Sequence, residues 1–361
     1  KAFGHELARV FGRGLPKISL QPAAGGSSLA EPWHVKVVSR GMRILVTGAG
    51  GFVGGHLITN LHRAGHEVIG ASHRPWEPPV PVEVDVFDVR DGGRFREVMD
   101  ARQPDAVVHL AAQASVRRSW EATDETFAVN VTGTSHLLES LTDRPETRVL
   151  LVGSAQQYGL AAAGRPLVET DPLQPRSPYG VSKVAQELVG ALYRRHFGLP
   201  VVVARPFNHT GPGQSTEYAI GAFSAQVAEI ERGDREPVLR VGWLESRRDY
   251  LDVRDVADAY RLLVEAGEPG AVYNVSSGRA ERIGDLLDIL IDAAGLNDAV
   301  EIIADRSPRP GDPEVLVGDS SKLQKGLGWK PEIPLATSLV DTLDSYRARV
   351  LNVDGPNTRR T

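Results

Sequence analysis

The sequence predicts an α/β protein with a Rossmann-type, doubly wound parallel sheet and a smaller C-terminal substrate-binding lobe. From Met42 onward, apolar runs alternate with helical stretches, which is typical of a parallel sheet covered by helices. The glycine-rich sequence T-G-A-G-G-F-V-G directly follows the first apolar run. After about residue 206 the alternation fades, and proline- and glycine-rich turns separate shorter elements. This change predicts the smaller lobe, lying over the carboxyl edge of the sheet.

The apolar runs predict the strands of the main sheet in chain order, at 43–46, 67–71, 80–84, 105–110, 148–153 and 200–205. The first helix is expected to begin near Phe52 and to end at Gly65, because glycine readily adopts the left-handed conformation that closes a helix. The strand-like sequence A-V-Y-N-V at 271–275 is expected to return to the main sheet. The two lobes should therefore interleave in sequence.

The same pattern predicts four parts of the chain. They are an N-terminal extension of unclear role (1–41), a dinucleotide-binding domain (42–207, with 249–277 returning to it), a substrate-binding lobe (208–248 and 278–347) and a tail (348–361). The extension lacks the apolar core of about 7–15 residues that a signal peptide needs, so a targeting role is not expected.

Composition excludes several classes of protein. The net charge of −5 gives no reason to expect nucleic acid binding. The chain has no cysteine, which excludes disulfides and thiolate metal sites and fits a cytoplasmic enzyme. No apolar run reaches the roughly 18 residues of a membrane span. His62 and His66 have a metal-like spacing, but Gly65 separates them and no metal site is expected.

The glycines of the first loop predict a dinucleotide cofactor. Gly48, Gly51 and Gly54 follow a strand, and Phe52 and Val53 open an amphipathic helix behind them. Glycines allow a tight turn, a close approach of the backbone to a pyrophosphate, and close packing of helix on strand. The free N–H groups of the helix N-terminus then face the phosphates.

The end of the second strand predicts which cofactor binds. An acidic residue there would bind the ribose 2′-hydroxyl of NAD. The chain has Ser72 instead, followed closely by Arg74, and a hydroxyl with a guanidinium suits a 2′-phosphate. NADP(H) is therefore the preferred cofactor. NAD(H) stays open, because Arg74 as a solvated loop residue is the alternative.

Other expected cofactor contacts follow the later strands. Asp88 and Val89 come after the third strand and are expected to flank the adenine. Small side chains after the fourth strand let a cofactor pass close to the sheet. The remaining contacts are Leu110, Ala111, Ala112 and Pro206.

Tyr179 and Lys183 form the predicted catalytic pair. They lie four residues apart in a helical stretch, so both side chains emerge on one face. A nearby ammonium favours the phenolate, so we expect a lowered Tyr179 pKa and proton exchange with a carbonyl/alcohol pair as hydride moves. Ser154 ends the strand-like L-L-V-G-S and is expected to hydrogen-bond the substrate oxygen. The alternative for Ser154 is a turn cap.

The chain resembles the extended short-chain dehydrogenases/reductases that act on nucleotide-linked sugars. The matching motifs include T-G-A-G-G-F-V-G, H-L-A-A, Y-G-V-S-K and R-P-F-N-H-T-G-P-G-Q, and the resemblance runs from Met42 to about Arg347. It implies Ser154, Tyr179 and Lys183 as the catalytic triad. It also implies Asn130 as a helix-kinking residue in a proton relay, and a homodimer paired through the helices around Asn130 and Lys183.

The resemblance leaves several reactions open. Reductases of GDP-4-keto-6-deoxy-D-mannose and GDP-mannose 4,6-dehydratases are both similar, which makes a GDP-linked sugar the expected substrate. Family dehydratases keep a glutamate two residues after the triad serine or threonine, whereas this chain has Gln156, which cannot cycle a proton. Ser72 and Arg74 favour a reductase over a 4-epimerase. A non-catalytic dinucleotide sensor is disfavoured because the triad is intact.

The substrate diphosphate needs fixed positive charge. Arg248 and Arg309 match family positions that clamp it, although surface ion pairs are an equally good interpretation of each arginine. Asn208 matches a position that binds sugar or phosphate. Ser115 and Gln156 complete the expected substrate contacts.

Overall fold

The computed structural model describes residues 18–20, 35–37, 41–159, 164–307 and 313–353. The chain divides into two units, residues 1–42 and 43–361. In the first unit two short strands pair antiparallel, with Ile18 opposite Val37. Both strands lie in the predicted N-terminal extension.

The strands run in chain order as β1 Ile18–Leu20, β2 Val35–Val37, β3 Arg43–Thr47, β4 Glu67–Ser72, β5 Glu83–Val86, β6 Ala106–His109, β7 Arg148–Val152, β8 Val201–Pro206, β9 Asn208–Thr210, β10 Val238–Val241, β11 Arg247–Arg248, β12 Tyr250–Asp252, β13 Val272–Val275, β14 Glu281–Arg282, β15 Glu301–Ala304 and β16 Val315–Leu316. The α-helices are α1 Phe52–Arg63, α2 Gly92–Arg102, α3 Val116–Glu121, α4 Thr123–Phe127, α5 Gly133–Glu139, α6 Pro178–Phe197, α7 Ala219–Glu231, α8 Val253–Ala266, α9 Ile283–Ala293, α10 Ser321–Leu327 and α11 Leu335–Val353. A π-helical segment spans Ala128–Thr132, and a 3-10 turn spans Ala155–Gln157.

The central sheet is parallel and doubly wound, as predicted. Its strand order is β13-β8-β7-β6-β3-β4-β5. The winding reverses between β3 and β6, and ligands of such sheets bind at this point, beyond the carboxyl ends of the strands. β13 pairs with β8, so the predicted return of 271–275 to the sheet is confirmed.

The third strand departs from the prediction. Residues 80–84 were the expected strand, but β5 begins only at Glu83. Pro79 and Pro81 have no N–H to donate to a neighbouring strand, which excludes their segment from the ladder. The sheet therefore gains β5 only after the prolines end.

Helices cover both faces of the sheet. The consecutive β3 residues Ile44, Leu45 and Val46 are fully buried, because α1 and α8 pack on one face while α2 and α5 pack on the other. The α1 helix ends as predicted, with Gly65 in the left-handed conformation (φ 87°) after it.

The second core belongs to the smaller lobe. It forms where α7, α9 and α11 pack together beside the parallel pair β10 and β15. Helix α11 continues to Val353, so the predicted tail starts inside it. Throughout the described ranges, no helix combines the length and apolarity needed to cross a bilayer.

Candidate active site

The glycine loop at the end of β3 lies closely against the segment that follows β6, the neighbouring strand of the sheet. Gly48 has a φ of 69°, and a Cβ atom there would lie 2.7 Å from the backbone nitrogen of Ala111. A Cβ on Gly54 would lie 2.4 Å from the carbonyl oxygen of Ala49, so only glycine lets α1 pack this closely on β3. Both glycines thus have the roles that the sequence predicts.

The N-terminus of α1 opens towards the same loop. Gly51 is its N-cap and offers no side chain, so the first N–H groups have no side-chain cap there. Such a helix start favours a phosphate group. Phe52 begins the helix and stacks on His209 of β9, with ring centroids 6.0 Å apart. Val53 follows as a partly exposed residue.

Ser72 lies where a cofactor ribose is expected. It ends β4, and its Oγ would be 3.0 Å from a Cβ built on Gly50 in the glycine loop. The Arg74 side chain is exposed beyond it, and the Arg74 N–H donates weakly to Ser72 Oγ at 3.5 Å. Sequence reasoning missed Trp76, whose ring packs against both Gly50 and Gly70. No periodic pattern marks Trp76, because it lies in a proline-rich loop.

The other expected cofactor residues also lie at the carboxyl edge. Asp88 follows β5 and forms an ion pair with Arg90, which holds the Asp88 pKa below its usual value. Val89 is buried beside it. The backbone N–H of Leu110 donates to the carbonyl oxygen of Thr47. The residues of this edge are Leu110, Ala111 and Ala112, which follow β6, and Pro206, which ends β8.

Ser154 and Tyr179 meet at the centre of this edge. Ser154 follows β7, and Tyr179 lies in the first turn of α6, which Ser177 caps. The two side chains share a hydrogen bond. Ser154 Oγ also accepts from the backbone N–H of Gln156 at 3.2 Å. The expected turn cap at Ser154 is therefore confirmed, and the same hydroxyl also contacts the phenol.

The expected lowering of the Tyr179 pKa is wrong for the protein without cofactor. Burial raises the Tyr179 pKa to about 12, and the hydrogen bond with Ser154 only partly opposes this. The Lys183 ammonium is not among the groups that lower the Tyr179 pKa. It donates to the carbonyl oxygen of Val152 at 2.7 Å and to Gln186 Oε1 at 2.9 Å. Burial lowers the Lys183 pKa to about 7.

Asn130 lies in a distorted part of its helix. The π-helical segment surrounds it, in keeping with the helix kink that the resemblance implies. Its side chain is fully buried, accepts from the backbone N–H of Gln113 at 2.8 Å, and donates to Ser182 Oγ at 2.9 Å. Asn130 therefore connects the loop after β6 to the helix that carries Tyr179.

The expected substrate residues fall into two groups. Arg248 is buried and not on the surface, and its guanidinium donates to the backbone oxygens of Arg247 and Glu314. Arg248 is therefore not a surface residue, which corrects that part of the alternative interpretation. Asn208 hydrogen-bonds the side chain of Tyr250, which Arg248 also influences.

The second group lies nearer the sheet. Ser115 caps α3 by accepting from the Arg118 N–H at 3.3 Å, and it stays partly exposed. Gln156 is partly exposed beside Ser154. Arg309 lies outside the described residues.

Asp249 is a buried carboxylate that sequence reasoning missed. It accepts hydrogen bonds from the N–H groups of Ser277, Gly278 and Gly318, and from the Ser277 hydroxyl. Burial nevertheless raises its pKa. Asp249 thereby fixes the segment that carries Arg248. Its position directly after Arg248 was the only signal in the sequence.

These residues fit a nicotinamide dinucleotide. The glycine loop leaves no room for side chains, and a helix N-terminus faces the pyrophosphate position. A phenol, a hydroxyl and a lysine converge beyond it. The described part of the chain contains no cluster of metal ligands.

Comparison with known proteins agrees with this geometry. The family model for GDP-mannose 4,6 dehydratase matches residues 45–342. The GDP-6-deoxy-D-mannose reductase of Pseudomonas aeruginosa is 37% identical over 312 residues, which cover 85% of this chain and 98% of the reductase. The structure of RMD from the same organism, complexed with NADPH, has a TM-score of 0.75 at 36% identity, covering 85% of this chain and 99% of RMD. UDP-glucose 4-epimerase from Thermus thermophilus, complexed with NAD, has a TM-score of 0.76 at 31% identity, with coverage of 85% and 99%.

The chain therefore belongs to the GDP-mannose 4,6-dehydratase family. It is an NAD(P)-dependent enzyme of the extended short-chain dehydrogenase/reductase type. The predicted family and fold class are confirmed.

Proposed function

We propose, from this family membership, that the enzyme reduces the 4-keto group of a 4-keto-6-deoxy sugar linked to a nucleoside diphosphate, with GDP as the nucleotide. When bound, a reduced nicotinamide supplies the hydride for such a reduction. Tyr179 delivers a proton to the carbonyl oxygen, and Ser154 hydrogen-bonds the same oxygen. The GDP-6-deoxy-D-mannose reductase relative supports this choice of substrate.

The observation that carries the proposal is geometric: the buried phenol of Tyr179 lies against the Ser154 hydroxyl at the carboxyl edge of the sheet. A pKa raised to about 12 keeps the phenol protonated at neutral pH, as a proton donor must be. A 4-epimerase and a dehydratase both begin with an oxidation that needs the phenolate as base. NADPH also has a neutral nicotinamide, which adds no positive charge to lower the phenol pKa.

Gln156 argues further against dehydration. Eliminating water from a keto sugar needs a group that accepts and returns protons above the ring. An amide cannot do this, and Gln156 is partly exposed next to Ser154, where it can donate hydrogen bonds to a sugar hydroxyl. We assign Gln156 and Ser115 to sugar binding.

NADP(H) is the cofactor that we propose. Ser72 lies against the glycine loop, and Arg74 extends beyond it into solvent, where it can reach a 2′-phosphate. No carboxylate occupies the end of β4 to favour NAD. The NADPH complex of RMD supports the assignment.

We assign the substrate diphosphate to the smaller lobe, which comprises 208–248 and 278–347. Arg248 is anchored by backbone oxygens, so its charge is fixed before substrate arrives. Asn208 and Tyr250 are hydrogen-bonded beside it. We place the reaction in the cytoplasm, because both reactants are charged nucleotides that do not cross lipid unaided.

A homodimer through α6 completes the proposal. Val181, Leu188 and Leu192 lie on one face of this helix and are 41%, 63% and 55% exposed. Trp120, on the neighbouring helix α3, is 66% exposed. Such an apolar stripe favours a second copy of the same helix across a twofold axis.

The decisive experiment supplies purified enzyme with 4-keto-6-deoxy sugars linked to GDP, dTDP or UDP, each with NADPH or NADH. We expect oxidation of NADPH with the GDP sugar and a 4-hydroxy product, whose configuration is read by NMR. Interconversion of 4-hydroxy sugars without net oxidation of added cofactor would establish an epimerase. Formation of a 4-keto sugar from GDP-mannose would establish a dehydratase.

A further inference from the structure

We infer that Gln157 is a positioning residue for Ser154, an inference that rests on the proposed reduction. Gln157 touches neither the phenol of Tyr179 nor the open side of the site. Its side chain is fully buried behind the turn that carries Ser154. Its effect on the reaction therefore passes through the residues that it holds, first of all Ser154.

The contact between the two residues is direct. Gln157 Oε1 accepts a hydrogen bond from the backbone N–H of Ser154 at 2.8 Å. The Ser154 side chain in turn caps the same 3-10 turn, so the pair forms a capping box. The box fixes the Ser154 backbone at the point where its hydroxyl meets Tyr179.

The other end of the Gln157 amide is anchored to the catalytic helix. Gln157 Nε2 donates to Glu187 Oε2 at 2.8 Å. Glu187 lies on α6, and Arg205 of β8 holds it through bonds of 3.0 and 2.6 Å. Arg205 is buried and Glu187 partly buried, so neither can move without breaking charge-assisted bonds.

This arrangement connects the two halves of the triad. Tyr179, Lys183 and Glu187 recur every four residues along α6, so one helix carries the phenol, the ammonium and the anchor of Gln157. Ser154 belongs to a different element, the turn after β7. Gln157 therefore sets the position of Ser154 relative to the helix that carries Tyr179.

Two features make the site specific for this amide. Only one orientation of the Gln157 amide forms both hydrogen bonds, because a reversed amide would place its oxygen against the Glu187 carboxylate. Gly153 provides the space, since a Cβ there would lie within 2.4 Å of Gln157 Oε1. A side chain of similar length without an amide would fill the space but could bond neither the Ser154 N–H nor Glu187.

The test replaces the amide and keeps the length, as Gln157→Met. We expect kcat to fall about 100-fold, because a small displacement of a catalytic group is enough for such a loss. The KM for the sugar nucleotide and the Kd for NADPH should stay within about twofold. The primary deuterium isotope effect with deuterated NADPH should rise, because slower chemistry limits the rate more fully. A mere loss of folded enzyme would lower the rate without changing the isotope effect.

Hydrogen exchange of the Ser154 amide, measured by NMR without cofactor, gives an independent readout. We expect faster exchange in Gln157→Met than in the wild type, because the N–H loses its acceptor. The control Gln226→Met also removes amide bonds, to the Arg240 backbone in the smaller lobe, and should change neither the exchange nor kcat. Unchanged exchange at Ser154, or unchanged kcat and isotope effect, would overturn the inference.

A charge exchange tests the anchor. Gln157→Glu alone places two carboxylates together and should lower kcat, as should Glu187→Gln alone. The double variant restores a donor opposite an acceptor and should recover at least about tenfold over either single variant. Absence of recovery would contradict the anchoring role. Absence of turnover in the wild type would instead overturn the proposed function, and the exchange at Ser154 would still decide the geometry.

Discussion

The ammonium nitrogen of Lys183 lies 6.0 Å from the centre of the Tyr179 ring and donates to the carbonyl oxygen of Val152. The lysine is therefore anchored to the end of β7 and does not hold the phenol ionised. This geometry separates two tasks. In the proposed reaction Tyr179 donates the proton, whereas the Lys183 ammonium has a pKa that burial lowers to about 7.

Replacing Tyr179 with phenylalanine should leave cofactor binding intact and remove most of the turnover. The phenol is the proposed proton donor, and general acids contribute about 10²- to 10⁴-fold to rates. NADPH affinity by calorimetry and kcat by NADPH oxidation check this. Tyr193→Phe, on the same helix but away from Ser154, should match the wild type. A near-normal rate in Tyr179→Phe would end the proposed acid role.

Replacing Arg74 with alanine should weaken the binding of NADPH more than the binding of NADH. Only NADPH carries the 2′-phosphate that an exposed guanidinium beside Ser72 can bind. A charge-assisted contact of this kind is worth about 1.5–3 kcal/mol, or roughly tenfold or more in Kd. Arg63→Ala, at the far end of α1, is the control. Equal losses for both cofactors would exclude Arg74 as the selecting residue.

The burial of Lys183 predicts a stability that depends on pH. Its pKa is about 7 in the folded protein against 10.5 normally, so the unfolded chain binds its proton more tightly between these values. The free energy of unfolding should therefore rise with pH across this window. Below pH 7 the buried Lys183 is protonated, and this destabilises the folded state most.

Lys183→Met removes that cost. We compare the free energy of unfolding in urea between the variant and the wild type. The difference in favour of the variant should be larger at pH 6 than at pH 9.5, by on the order of 2 kcal/mol. Lys325→Met, which removes an exposed lysine, should show no such difference. A constant difference between the two pH values would mean that Lys183 stays charged when buried.

Replacing Leu188 with glutamate should convert a dimer into a monomer. Leu188 is 63% exposed at the centre of the apolar stripe on α6, and an unpaired charge buried in an interface is strongly unfavourable. Light scattering after size-exclusion chromatography measures the mass. Ile302→Glu makes the same change at an exposed apolar residue of β15 and should leave the mass unaltered. A wild type that is monomeric would refute the proposed interface.

The sequence predicted much of the site from local patterns. Gly48 and Gly54 were recognisable because turns and close packing require glycine at those positions. Tyr179 and Lys183 were recognisable because a spacing of four places side chains on one helix face. The interpretations that failed concern environment: the Tyr179 pKa is raised and not lowered, and Arg248 is buried.

The sequence alone determined the order of the main strands and helices and the place of the glycine loop, because these depend on spacing along the chain, while the triad stays a prediction from spacing and family resemblance. Only the tertiary structure decided which distant groups share one environment. Gln157 and Arg205 lie 48 positions apart in sequence, yet both hold the same Glu187 carboxylate. Burial, which sets the ionisation of Tyr179 and Lys183, is likewise a property of the packed molecule and of no local pattern.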